Sequence, residues 1–160
     1  MRQRGFTLIE ILVVLVIIGI MLGLVSVRMM PDDAGRLKTE AERLALLLEQ
    51  ARDQAVASGE PIGLSVEQGR YRFWVRDAQN QWVLSSGDDL LRERPLADGV
   101  QLAALLVNQT PLAEGDRLLF LPAGSNEPFT IDLTLNAARA RIQGDRLGRV
   151  SIEWPQGMAG

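Results

Sequence analysis

The chain has 160 residues, a formal charge of −3, a single lysine, and neither cysteine nor histidine. That composition excludes disulfides, Ser-His-Asp and Cys-His catalysis, and the usual zinc ligands. Mild acidity gives the chain no general attraction for nucleic acid or anionic lipid.

Arg2 and Arg4 precede Gly5, and from Phe6 to Val27 the only polar side chains are Thr7, Glu10 and Ser26. At about 1.5 Å per residue, a helix over this run is roughly 33 Å long, enough to cross a hydrocarbon core of about 30 Å. The run exceeds the apolar region of a removable secretory signal, and no small-x-small cleavage site follows it, so the sequence predicts a retained membrane helix over 6–28. Arginines ahead of the helix and Asp32 and Asp33 beyond it predict a cytoplasmic N-terminus and an extracytoplasmic body.

Glu10 breaks the apolar run. A carboxylate there costs about 2.5 to 3.5 kcal/mol at the bilayer centre and less towards an edge. One turn beyond Phe6, it either reaches headgroups and water or awaits a cationic partner, and the residues alone leave both open. Gly19 and Gly23 form a small-xxx-small pair that permits close helix approach, or are ordinary glycine content of such a helix.

The run Arg4-Gly5-Phe6-Thr7-Leu8-Ile9-Glu10, followed by an unbroken apolar helix, resembles the class III signal of type IV pilins and of the pseudopilins of type II secretion systems. The resemblance implies that a prepilin peptidase cuts between Gly5 and Phe6 and methylates the new amine on Phe6. In a filament, the Glu10 carboxylate of one subunit then meets the Phe6 amine of its neighbour. Such a pair attracts strongly in low-dielectric surroundings, whereas an unpaired charge is penalised, so Glu10 would set the register of stacking. Many type IV pilins carry a C-terminal disulfide loop; a chain without cysteine fits the pseudopilins better.

Met29-Met30-Pro31 ends or kinks the first helix. Asp32 or Asp33 can cap a second helix running to about Ser58, with Gly59 at the stop position. Within it Leu37, Ala41, Leu44, Leu48, Ala51 and Ala55 trace one apolar stripe, expected to face a core, while Arg36, Lys38, Glu40, Glu42, Arg43, Glu49, Arg52 and Asp53 lie mostly off it. From Pro61 the period becomes two. Strands are expected over 62–66 and 70–76, the second with Tyr71, Phe73 and Val75 on one face and Trp74 with Arg70, Arg72 and Arg76 on the other. Arginines beside an aromatic suit single-stranded nucleic acid, but a solvated face with Trp74 covered by arginine stems is the expectation. A turn at 77–80 leads to a hairpin partner over 81–85, an edge strand and loops over 87–99, a strand over 100–107, a loop over 108–116 and a buried strand over 117–121.

Carboxylate pairs are the one catalytic option left open. Asp32-Asp33 and Asp88-Asp89 read as turn and capping residues, and Asp77 to Asn80 lacks the spacing of a calcium loop. No catalytic residue, cofactor or metal is expected. Asn108-Gln109-Thr110 fits a glycosylation sequon and is assigned no role.

Phe120-Leu121-Pro122-Ala123-Gly124, the alternating run Phe129 to Leu135, and Leu147-Gly148-Arg149-Val150-Ser151-Ile152 resemble the C-terminal half of the H-type minor pseudopilin domain. Minor pilins of the same superfamily that bind DNA carry Gly-Arg-x-Arg. Here Gly148 and Arg149 fit but Ser151 replaces the second arginine, which speaks against nucleic acid, although Arg139, Arg141, Arg146 and Arg149 can still form a small basic patch.

The expected protein is α+β and pilin-like: a cleaved leader over 1–5, a transmembrane helix over 6–28, an amphipathic helical extension over 29–59, an antiparallel β domain of two sheets over 60–155, and a flexible tail over 156–160. The resemblance implies a minor pseudopilin, single-pass in the bacterial inner membrane with a periplasmic domain. Its expected partners are prepilin peptidase, other minor pseudopilins, the major pseudopilin and the inner-membrane assembly platform. A minor pilin of a type IV pilus is the alternative, and a membrane-anchored periplasmic enzyme a more distant one.

Overall fold

The computed structural model describes residues 8–28, 32–86 and 90–155, with side chains in the first helix through Met21. The leader with Gly5, Phe6, the Met29-Met30-Pro31 break, the Asp88-Asp89 pair and the tail lie outside the described residues. Two compact units are present, Met1–Asp32 and Asp33–Gly160.

The first unit holds α1, Leu8–Arg28. Its described side chains are exposed on every side, from Leu8 to Met21. A helix that is apolar all round finds no burial within its own unit and must obtain it from lipid or protein outside. Among the described residues no helix is long and apolar enough to cross a membrane. The expected span over 6–28 extends past the described side chains at both ends.

The second unit begins with α2, Asp33–Ser58. It stops at Gly59, whose φ of 73° suits a residue without a Cβ and whose amide donates to the Ala55 carbonyl at 3.0 Å. Leu37, Ala41, Leu44, Leu48, Ala51 and Ala55 are fully buried, so the stripe read from the sequence is the core face. Glu40 is buried with them, contrary to its expected place off the stripe. Arg43, one turn on, makes this tolerable by donating to Glu40 at 2.8 Å.

Ten strands follow: β1 Ile62–Glu67, β2 Arg70–Arg76, β3 Trp82–Leu84, β4 Arg94–Pro95, β5 Gln101–Val107, β6 Thr110–Pro111, β7 Leu118–Phe120, β8 Phe129–Leu135, β9 Ala138–Gly144 and β10 Val150–Glu153. They form two antiparallel sheets. The first has the order β3-β2-β1-β7 with β4 also on β2, and the second runs β10-β9-β8-β5-β6. α2 packs on β8, β9 and β10 of the second sheet and on β1 and β7 of the first. This is the α+β, two-sheet architecture expected. Phe120 of the first sheet meets Phe129 of the second edge to face, with centroids 6.1 Å apart.

The β1–β2 hairpin turns on Gln68 and Gly69, both at positive φ, the geometry that matches strand twist in a two-residue loop. Asp77 caps the next turn, accepting from the amides of Gln79 at 2.9 Å and Gln81 at 2.8 Å, which gives this acid a structural role. β9 is an element for which the sequence reading offers no strand. Its inward residues are Ala138, Ala140, Ile142 and Gly144, of which only Ile142 favours a strand. Arg141, placed in a basic patch by that reading, instead makes a two-pronged contact at 2.7 and 3.0 Å with Asp132, its partner across the sheet.

The segment 90–99, expected as edge strand and loops, also supplies core. Leu91 and Leu96 are buried, and Arg36 and Arg43 of α2 donate to the carbonyls of Asp98 and Pro95. Glu93 accepts from Arg70 and lies 3.4 Å from Arg72, fastening the segment to β2. The hydrogen bond from Arg70 foremost, against a smaller opposing effect of burial, holds the Glu93 carboxyl below the usual glutamate range.

Two predictions follow from this packing. A Cβ on Gly144 would overlap the Phe129 ring, which lies over it from the paired strand, so Gly144→Ala should destabilise the full chain by about 1 to 3 kcal/mol. Denaturant unfolding in detergent checks this, and Phe129→Leu in the same chain should recover part of the loss. For Glu93, the folded-state pKa lies below the unfolded one, so the pair's stabilisation is complete above the ordinary glutamate range and is lost as pH falls through the lowered value. Arg70→Gln should move the Glu93 titration upward, read by carboxyl NMR.

Candidate assembly site

Of the three residues singled out for processing and assembly, Glu10 is described, and Gly5 and Phe6 are not. Glu10 lies in the first turn of α1, where a carboxylate favours the positive end of the helix dipole. Its side chain is exposed, and it is the sole charge among the described side chains of α1. No described residue pairs with it. The chemistry it offers is that of an acceptor on an apolar surface, suited to a cation from outside the unit. Gly19 lies open on the same helix, with nothing within 4 Å of where a Cβ would stand.

In the second unit several charges pair with one another. Glu40, Arg43 and Tyr71 form a cluster under α2, with the Arg43 guanidinium 5.8 Å from the Tyr71 ring centroid. Burial opposes the charge on Arg43, but the hydrogen bond and attraction from Glu40 outweigh it and its pKa is raised. Burial pushes the Tyr71 phenol up, with Arg43 opposing, and the hydroxyl has no partner among the described residues. Gly148 fits the family's DNA-binding pattern, but its structural role is to pass close to Arg52 of α2, where any Cβ would collide with that side chain. Arg149 sits 3.7 Å from Asp145.

The outward face of β2 is occupied in a way the sequence reading foresaw only in part. Arg70 and Arg72 are spent on Glu93 and Glu67. Trp74 is half-buried and donates to Ser65 Oγ at 2.9 Å. The guanidinium that covers it belongs to Arg117, 4.3 Å from its ring centroid, rather than to the arginines of its own strand. Arg117 also lies 5.5 Å from the Trp82 ring, over which Arg76 stands at 4.7 Å. Trp82 comes from the hairpin partner expected over 81–85, whereas Arg117 comes from a distant segment, so period-two patterning of β2 carried no sign of it.

The described residues contain no group of three or more His, Cys, Asp or Glu side chains placed to hold a metal. A cleft of about 590 Å³ between the end of β1, β5 and the 111–116 loop is lined by Val66, Leu102, Leu105 and Leu112 with Glu67 and Glu114. Ser65 also lines it, with its hydroxyl accepting from the Trp74 indole.

Residues 40–152 match the family model of the type II transport protein GspH, and residues 1–26 match the prokaryotic N-terminal methylation motif. The type II secretion system protein H of Aeromonas hydrophila is 29% identical, the alignment covering 94% of this chain and 93% of that protein. The protein of the same name from Pseudomonas aeruginosa is 30% identical, with 94% and 96% covered. In structure, the minor pseudopilin EpsH of Vibrio cholerae aligns with a TM-score of 0.63 at 22% identity over 78% of this chain and 99% of that one, which shows the common fold. The family and the motif are those of membrane-anchored periplasmic proteins. With a family model matched across α2 and both sheets and a relative at 30% identity spanning nearly the whole chain, this protein belongs to the GspH family and is a minor pseudopilin of the H type in a type II secretion system.

Proposed function

We propose that the chain is made as a precursor, cut by a prepilin peptidase between Gly5 and Phe6 and methylated on the Phe6 amine, and then held as a single-pass inner-membrane protein with its β domain in the periplasm. From there it joins other minor pseudopilins and the major pseudopilin, on an inner-membrane assembly platform, near the tip of a short filament that helps export folded proteins. It acts by assembly and not by turnover. The observation that carries this reading is the methylation-motif match over 1–26 leading into a helix whose sole described charge is an exposed Glu10.

The physical core of the reading is the pairing of Glu10 with the Phe6 amine of a neighbouring subunit. Desolvated alone, either charge is costly; together they attract strongly, so the matched register is favoured over every other. Gly5 acts through its missing side chain, which lets a protease fit the backbone closely.

Deleting the gene tests the function as a whole: exoproteins should accumulate in the periplasm, while intact export with lost twitching or transformation would transfer the chain to a type IV pilus. Gly5→Ala should leave an unprocessed, larger band on a gel, and a mature-sized band counts against cleavage at this position. Glu10→Ala should insert in the membrane normally yet fail to co-purify with the other pseudopilins; undiminished co-purification refutes the registering role.

A further inference from the structure

The outward face of the first sheet carries an alternation of guanidinium and indole that the fold itself does not require. Across it run Arg76, Trp82, Arg117 and Trp74, each guanidinium lying over at least one indole. Around them Leu84 and Leu119 are exposed, and the strand register sets Leu84 opposite Trp74 and Leu119 opposite Gly63. Tryptophan and arginine are enriched in binding hot spots, where a rigid aromatic body and a planar donor fork meet a partner.

Charge selects the partner. Arg70 and Arg72 on this face are neutralised by Glu93 and Glu67, whereas neither Arg76 nor Arg117 is paired with a carboxylate among the described residues. Arg76 donates to the carbonyl and side chain of Asn80, and Arg117 reaches only the Gly115 carbonyl, at 3.5 Å, with its Nε–H buried and unaccepted. A stacked guanidinium is fixed in orientation with its N–H edge turned along the surface, ready for a bidentate carboxylate. Bases of single-stranded nucleic acid need uncovered aromatic faces, and here guanidiniums already lie over both indoles. The chain's net charge of −3 further disfavours a polyanion while leaving a local contact with one or two carboxylates favourable.

We propose that this face is a docking surface for an acidic segment of another protein of the secretion filament, whose Asp or Glu carboxylates engage Arg76 and Arg117 while its apolar atoms cover Leu84 and Leu119. This rests on the reading of the chain as an assembled subunit. The docking is a specificity contact at the β domain, separate from the Glu10 contact at the membrane helix.

The test uses the full chain in membranes of a secreting cell, with a photo-crosslinking amino acid replacing Leu84. The expected product joins the chain to another filament subunit through a peptide containing Asp or Glu. Arg76→Glu with Arg117→Glu should cut its yield about tenfold, while Arg76→Lys with Arg117→Lys, which keeps the charge but loses the planar fork, should give a yield between that of the unaltered chain and that of the glutamate variant. Changing the crosslinked acid of the partner to arginine should cause the same loss against the unaltered chain and restore the yield with the glutamate variant, so the result does not depend on that variant folding alone. A yield indifferent to charge, a product with a second copy of this chain or with nucleic acid, or no product from a chain that still co-purifies with the filament overturns the proposal. A chain that never co-purifies overturns the assembly reading first, and this one with it.

Discussion

One stripe of small and branched apolar side chains along α2 joins two sheets that share no strand pairing. Leu37, Leu44 and Leu48 are fully buried, and each such side chain contributes about 1.5 to 3 kcal/mol relative to exposure. Between them Ala41, Ala51 and Ala55 bring the helix backbone close enough to contact β8, β9 and β10 on one sheet and β1 and β7 on the other. The same logic explains why the small residues of β9 matter. Ala138, Ala140 and Gly144 make room for larger neighbours, and Phe129 lies over Gly144 while its edge meets Phe120 of the other sheet. Bulk is supplied from one side and space from the other, as dense packing requires.

The polar side chains of the β domain are arranged so that burial leaves few charges unanswered. Glu40 is tolerated in the stripe because Arg43 reaches it, and Arg43 in turn ties the 90–99 segment to α2 through the Pro95 carbonyl. Asp132 and Arg141 close a pair directly across β8 and β9. What is left over is then informative. Of the several charges without an opposite charge among the described residues, Arg76 and Arg117 are held over indoles on the first sheet and Glu10 stands on an apolar helix, and a charge held in such a place is open to another molecule.

Much of this was legible in the residues. The spacing of Leu37 to Ala55 fixes a core-facing helix, Gly59 its end, and the alternation of 70–76 and 129–135 two strands with their inward faces. The change of period at Pro61 separates the helix from the β region. Three features were not legible. β9 hid because alanine and glycine are weak strand markers. Glu40 looked solvent-facing because a single charged residue cannot announce the arginine that will neutralise it. The Arg117 stack was invisible because it joins strands whose pairing no local pattern specifies. Of the candidate assembly site, Glu10 stood out as an acid in an apolar run, and it is exposed like every other described side chain of α1; Gly5 and Phe6 lie outside the described residues.

The contrast between the two units gives the final step. In Asp33–Gly160 most large apolar side chains of the helix and sheets are buried in one core. In α1 none of the described apolar surface is satisfied within the unit, and the one described charge is without a partner there. A sequence that finishes one half and leaves the other chemically incomplete divides its labour: the β domain supplies a rigid surface for recognition, and α1 supplies adhesion that only lipid or neighbouring helices can complete. Lipid tails can cover the apolar side chains, while Glu10 needs water, headgroups or a cation. In the proposed filament a neighbouring chain with a cationic terminus would do both, and on that proposal polymerisation, rather than simple anchoring, leaves least unsatisfied.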